Sequence, residues 1–433
     1  MTASFPLSAA QHTVWSLHTR DASGHRQSSR RVFEVTGPLD PAALRSALDA
    51  LVQRHEPLRT VYLDGPVQQI RDDLPAGFRL VREPSPPGPF DIARGPLLRV
   101  DLRPLDPGRH EITFSLHLLA ADGWSMRVFF SDLAALYRAG VRGRAAGLPE
   151  LSVQYVDWVA WEARRLTARR REQRTAELTE WWRRALAGCP RPAAPDSAPD
   201  RAAGPAPGRR LFRVLDATVT GAVRALAAGH GHTAFTVLAA VCALALAGRS
   251  GQERVPLGLA VANRDHPQLD RLLGFFVTLS VLPVDLRGDP ELRFLLGRVA
   301  GTTAAVYEHR DLPLERLTAA AWGPGGPGRP LLPEVVFAHH AAGTVGGLVL
   351  DGCETVELPV LDGARFGLTI RVEDTPDGGC RLWAEYDSGR HDGDAVAGLL
   401  REYEVLLAAV VARPDSRLSE LRALAFRPSG PLP

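Results

Sequence analysis

Residues 115–125 read Ser-Leu-His-Leu-Leu-Ala-Ala-Asp-Gly-Trp-Ser, and three of them could do chemistry together. His117 can hold or move a proton, Asp122 can fix a cation or cap a helix, and Gly123 lets a substrate approach the main chain. The stretch lies where an apolar, strand-like run hands over to a helical pattern. A helix start aims unbonded N–H groups outward and favours negative charge there. That suits the oxyanion of an acyl transfer. Spacing alone equally permits a plainer account, in which Asp122 or Ser125 caps the helix and His117 is a hydrogen-bonded core histidine. Both readings stand at this point.

The other histidines narrow the chemistry. His339 and His340 are adjacent in "VVFAHHAAG", a strand-like segment, so their side chains point to opposite faces and cannot share a metal. They are either partly exposed strand-end residues or, one of them, a proton acceptor. His230 and His232 lack a third ligand at metal-binding spacing and read as a turn before a helix capped by Thr233. No metal site is expected. The 51 basic residues are all arginine, which excludes a Schiff-base lysine, a Walker-type lysine and a lysine general base. The four cysteines lie far apart, so neither a zinc site nor a disulfide framework is expected, and a cytoplasmic location fits. A formal net charge of +2 argues against nucleic-acid or membrane partners. No basic segment followed by an apolar one opens the chain, so no signal peptide is expected.

The elements that must position these residues follow from periodicity. "SAAQHTVW" carries Ser8 and Gln11 in capping-box spacing and starts a helix. "RRVFEVTG", "LRTVYL", "PVQQIR", "LLRVDLRPL" and "HEITFSLHLL" read as strands; "DPAALRSALDALVQRH" and "WSMRVFFSDLAALYRA" read as amphipathic helices. Residues 156–187 are helical and strongly basic, a solvated face or a dock for an acidic partner. The second half repeats the mixture. "LFRVLD", "VPLGLAVANR", "FVTLSVLPVDL", "EVVFAHH", "FGLTIRVED" and "CRLWAEYDSG" are strands, "AFTVLAAVCALALAG" is a buried helix too short for a membrane span, and an amphipathic helix closes the chain. With 433 residues the expectation is an α/β protein of two lobes, 1–188 and 209–433, joined by a Pro/Ala-rich linker at 189–208.

Six ordered segments resemble the condensation-domain superfamily of nonribosomal peptide synthesis. "SAAQHTVW" is similar to S-x-A-Q-x-x-x-W, "RHEPLRT" to R-H-E-x-L-R-T, and "HLLAADG" to H-H-x-x-x-D-G. "VQYVDWVAW" with Tyr155 and Asp157, "VANRDHPQLDRLLGFFVTLSVL" and "HRDLPLERL" match further segments. The resemblance implies two chloramphenicol-acetyltransferase-like lobes in a V-shaped pseudo-dimer with a central cleft. It implies a pairing of Asp122 with Arg264, an architectural role for His117 and oxyanion binding at Gly123. Leu118, Trp124, Ser125 and Thr278 are expected along the substrate path.

The departures matter as much. Leu118 stands where the family has the His that holds or deprotonates the attacking amine, and leucine can do neither. Thr278 and Leu279 replace a common Asn-Thr pair, and His339-His340 fall where Gln-Asn is usual; either histidine is a candidate replacement base. His117 excludes the heterocyclising branch, and the extra second-lobe motifs of epimerisation domains are not found. The resemblance thus implies an acyltransferase that joins an acyl thioester to an amine or alcohol acceptor, and the chain is expected to be free-standing. The chain itself would bind no cofactor; the phosphopantetheine arm belongs to an acyl or peptidyl carrier protein. The rival expectation is a silent domain that docks carriers or recruits a tailoring enzyme.

Overall fold

In the computed structural model, residues 4–20, 27–86, 88–164, 168–191, 208–323, 333–343, 346–360 and 363–425 are described. In chain order the first half holds β1 (Ser4–Pro6), α1 (Ala9–Arg20), β2 (Ser28–Thr36), α2 (Pro41–Arg54), β3 (Thr60–Leu63), β4 (Val67–Ile70), β5 (Gly77–Leu80), β6 (Leu98–Asp106), β7 (Arg109–His117), α3 (Gly123–Arg142), α4 (Tyr155–Arg164) and α5 (Ala168–Ala185). The second half holds β8 (Gly208–Leu215), α6 (Ala217–Gly229), α7 (Ala234–Ser250), β9 (Arg254–Val261), β10 (Thr278–Asp285), α8 (Leu292–Glu308), α9 (Leu314–Trp322), β11 (Val335–His340), β12 (Glu354–Leu358), β13 (Leu368–Asp374), β14 (Cys380–Asp387), α10 (Gly393–Ala412) and α11 (Leu418–Ala425). Most of the expected linker, residues 192–207, lies outside the described residues.

Local chemistry explains the starts. Ser8 and Gln11 make the reciprocal capping box: the Ser8 N–H donates to Gln11 Oε1 and the Gln11 N–H donates to Ser8 Oγ, both at 3.0 Å. Asp40 caps α2 by accepting from Ala42 and Ala43, with Pro41 at the first helical position where no N–H is missed. Thr233 caps α7, whose residues from Thr236 to Ala247 are all buried. Its small alanines let neighbouring elements pack closely all round.

The chain divides into two compact units. The first comprises residues 1–171, 262–277 and 344–362; the second comprises 172–261, 278–343 and 363–433. The division differs from a single break near residue 190, because two stretches of the second half pack into the first unit. In the first unit a five-stranded sheet has the order β12-β2-β7-β6-β5, and a smaller one has β1-β4-β3. β12 pairs antiparallel with β2, held by Arg31, which grips the Glu357 carboxylate with two nitrogens and stacks near Phe33 and Phe130. The second unit is built on a six-stranded sheet, β10-β9-β11-β13-β14-β8. Alternate side chains of its strands, among them Phe337, Ile370 and Leu382, share one core with α6, α7 and α10.

Candidate functional site

The polar centre of the first unit forms where β7 ends. The chain turns through Leu118–Ala121, Asp122 takes the N-cap position, and α3 begins at Gly123. Asp122 Oδ1 accepts from the Ser125 N–H and the Ser125 hydroxyl, both at 2.8 Å, and from Arg264 Nη2 at 3.3 Å. Its Oδ2 accepts from the Phe276 N–H at 3.0 Å. The Asp122 and Arg264 side chains are each only 2% exposed.

Arg264 is satisfied from several directions. Nη1 donates to the carbonyls of Leu269 and Leu272, and Nη2 also donates to Ser125 Oγ at 2.9 Å. Its guanidinium lies 4.1 Å from the Phe276 ring centre. Burial pulls its pKa down, and the charge and hydrogen bond of Asp122 oppose that. Ser125 Oγ also accepts from the Gly274 N–H at 3.1 Å. Gly274 is required by close approach, since a Cβ there would meet the Tyr155 ring at 2.1 Å.

Two phenols anchor the same loops. Tyr62 donates to the carbonyl of Leu119 at 3.0 Å and accepts from Gln11 Nε2. Tyr155 donates to the carbonyl of Phe275 at 2.7 Å and meets Ser8 Oγ at 3.0 Å. The α1 capping box therefore supports both walls of the site. Sequence reasoning does not single out Tyr62 or Gln11 as site residues; Gln11 lies inside the capping-box segment, which is the available signal.

The expected site residues fall into two groups. His117, Leu118, Asp122, Gly123, Trp124, Ser125 and Arg264 lie in the first unit; Thr278, His339 and His340 lie in the second. His117 is fully buried. Its Nδ1 accepts the Leu119 N–H at 3.2 Å, so a neutral ring carries its proton on Nε2, 3.1 Å from His18 Nδ1. That lone pair is already used. Leu118 is 7% exposed and packs in the apolar core of this unit. Ser125 is buried with its hydroxyl fully engaged, and the Trp124 indole donates to the carbonyl of Asp270 at 3.2 Å. Gly123 is exposed, and a Cβ there would meet nothing within 4 Å.

The adjacent histidines of β11 do point apart. His339 lies on the helix-covered face, lines a small cavity with Thr220, Arg224 and Asp374, and its Nε2 is hydrogen-bonded to Asp374 Oδ1 at 3.3 Å. His340 faces the other way; burial, assisted by Arg371 and His339, pushes its pKa down to about 4. Thr278 opens β10. No cluster of His, Cys, Asp and Glu among the described residues could hold a metal ion, and no single described helix is long and apolar enough to cross a membrane.

The condensation-domain family model matches residues 1–426. The chain is 32% identical to phosphinothricin tripeptide synthetase PhsC of Streptomyces viridochromogenes over 97% of its own length, but spans only 40% of that relative. Its fold superposes on the X-domain of teicoplanin biosynthesis, solved in complex with OxyB, with a TM-score of 0.83 and 26% identity, covering 97% of this chain and 96% of that one. The first condensation domain of the calcium-dependent antibiotic synthetase, bound to a substrate analogue, gives a TM-score of 0.75 at 21% identity, covering 96% and 98% of the two chains. These relatives share the two-lobed chloramphenicol-acetyltransferase-like fold, and the chain belongs to the condensation-domain family.

Proposed function

We propose that this chain is a condensation-type acyltransferase that joins a carrier-bound acyl thioester to an amine, working without a dedicated base. The observation that carries the reading is the buried, hydrogen-bonded Asp122–Arg264–Ser125 network, which fixes an exposed, side-chain-free Gly123 at the start of α3. An N–H held there can stabilise the oxyanion that forms when the acceptor attacks the thioester carbonyl. The sulfur then leaves as thiol or thiolate while the new amide nitrogen loses a proton to solvent.

Thioester aminolysis runs downhill, so alignment alone supplies much of the acceleration. A neutral amine needs no base to attack. A hydroxyl does, because its nucleophilic form is scarce at neutral pH, and Leu118 offers nothing to deprotonate it. The amine is therefore the favoured acceptor class. Of the two candidate replacement bases, His339 sits on the helix-covered face of its sheet, in a small cavity with Thr220, Ala234 and Leu238. His340 keeps a free lone pair but, at about 4, is too weakly basic to hold a proton at neutral pH. It acts at most as a hydrogen-bond acceptor.

The second reading, a docking domain, is favoured by Leu118 in the apolar core and by the likeness to the X-domain seen with OxyB. Intact mass measurement of an acyl-loaded carrier separates the two. Amine-dependent loss of the acyl mass, with little loss to alcohols, is the expected result. No loss with any acceptor, alongside a stable complex with the carrier or a tailoring enzyme, would establish the docking role.

A further inference from the structure

We propose that the face of the six-stranded sheet opposite its helices carries an anion-binding site centred on Arg371. Its ligand is a carboxylate or phosphate on the pantetheine thioester that the preceding reading assigns to this fold.

Register places Ala338, Arg371, Trp383 and Phe212 in one row across β11, β13, β14 and β8. Among the described residues the half-buried Arg371 guanidinium has no hydrogen-bond or ion-pair partner. The nearby carboxylates are already engaged. Glu385 receives Arg210 at 2.7 Å, and Glu373 receives the Trp383 indole N–H at 3.1 Å. Arg365 adds a further positive charge beside Arg371. His340 shares this face, and its Nδ1 is buried without a partner.

Glu385 and Glu373 favour its charge from a distance, but a guanidinium withdrawn from water without a hydrogen-bonded partner costs free energy, and its five donors suit the bidentate capture of a planar carboxylate or a phosphate. Ala338 leaves room on one side of it. Trp383, backed by Phe212 at 5.1 Å between ring centres, supplies an apolar wall on the other. An arginine with no ligand could be a leucine or threonine at this strand position at lower cost.

The test is calorimetric titration of the whole chain with butyryl-pantetheine, succinyl-pantetheine and butyryl-phosphopantetheine, for wild type and Arg371→Gln. One anionic ligand is expected to bind at least tenfold tighter than butyryl-pantetheine, and Arg371→Gln to erase that advantage alone. Preference for succinyl-pantetheine assigns a carboxylate on the acyl chain; preference for butyryl-phosphopantetheine assigns the phosphate of the arm. Equal binding of all three overturns the anion site and leaves the thioester reading intact. So does an advantage that survives in a natively folded Arg371→Gln. If none binds, the thioester reading fails and inorganic pyrophosphate tests the site alone. Pyrophosphate should then raise the melting temperature of the wild type and of Arg371→Lys but not of Arg371→Gln, and equal shifts in all three would overturn the site.

Discussion

Arg264 and Arg371 are both withdrawn from water, and burial lowers the pKa of both guanidiniums. Their surroundings differ sharply. Arg264 finds a carboxylate, a hydroxyl and two main-chain carbonyls, and it leaves Gly123 fixed beside it. Arg371 finds two carboxylates already spent on Arg210 and Trp383. The first is a structural joint; the second makes no hydrogen bond or ion pair among the described residues. Burial alone therefore does not say what a buried charge is for, and the accounting of its donors does.

That contrast can be broken in order of expected effect. Asp122→Ala leaves Arg264 buried with its main counterion gone, and should cost about 3–5 kcal/mol in urea denaturation. A loss under 1 kcal/mol would mean the joint is dispensable. Tyr155→Phe removes the donor to the Phe275 carbonyl and the partner of Ser8 Oγ, and should cost about 1–3 kcal/mol by the same measurement, because a buried acceptor is left unsatisfied. Arg371→Gln breaks no pair, so its unfolding free energy should stay within about 0.5 kcal/mol of wild type or rise. A loss of several kcal/mol would place Arg371 in the same class as Arg264.

The smallest expected effect is a pH dependence. His340 titrates near 4 when folded and near its usual 6.5 when unfolded, so the unfolded chain binds the proton first. Stability should fall as pH drops from about 6.5 to about 4, and less steeply in His340→Gln. Identical pH profiles for the two proteins would contradict the burial of that ring.

Much of this is legible in the amino-acid sequence. The Ser8–Gln11 spacing announces its capping box, the alanine-rich run its buried helix, and the adjacent histidines their opposite faces, because each depends on local geometry. The illegible part depends on distant partners. β12 finds its place beside β2 across more than three hundred residues, and 262–277 packs into the unit formed by the first half. Local periodicity carries no trace of either. The network around Asp122 can be anticipated only as the Arg264 pairing, through family resemblance; the roles of Tyr62 and Tyr155 cannot. Arg371 escapes notice because an arginine on an alternating strand reads as solvent-facing until its neighbours are counted.

The central claim is that the site keeps its framework and oxyanion donor while lacking a base. The most direct test is the single-turnover rate of acyl transfer from a loaded carrier to an amine, measured against pH for wild type and Leu118→His. The wild-type rate should rise tenfold per pH unit up to the pKa of the amine, with no inflection between pH 5.5 and 7.5. Leu118→His should raise the rate near pH 7 by about 10²-fold and introduce such an inflection. A wild-type inflection in that window would reveal a base the account denies. No transfer by either protein would contradict the enzyme reading outright.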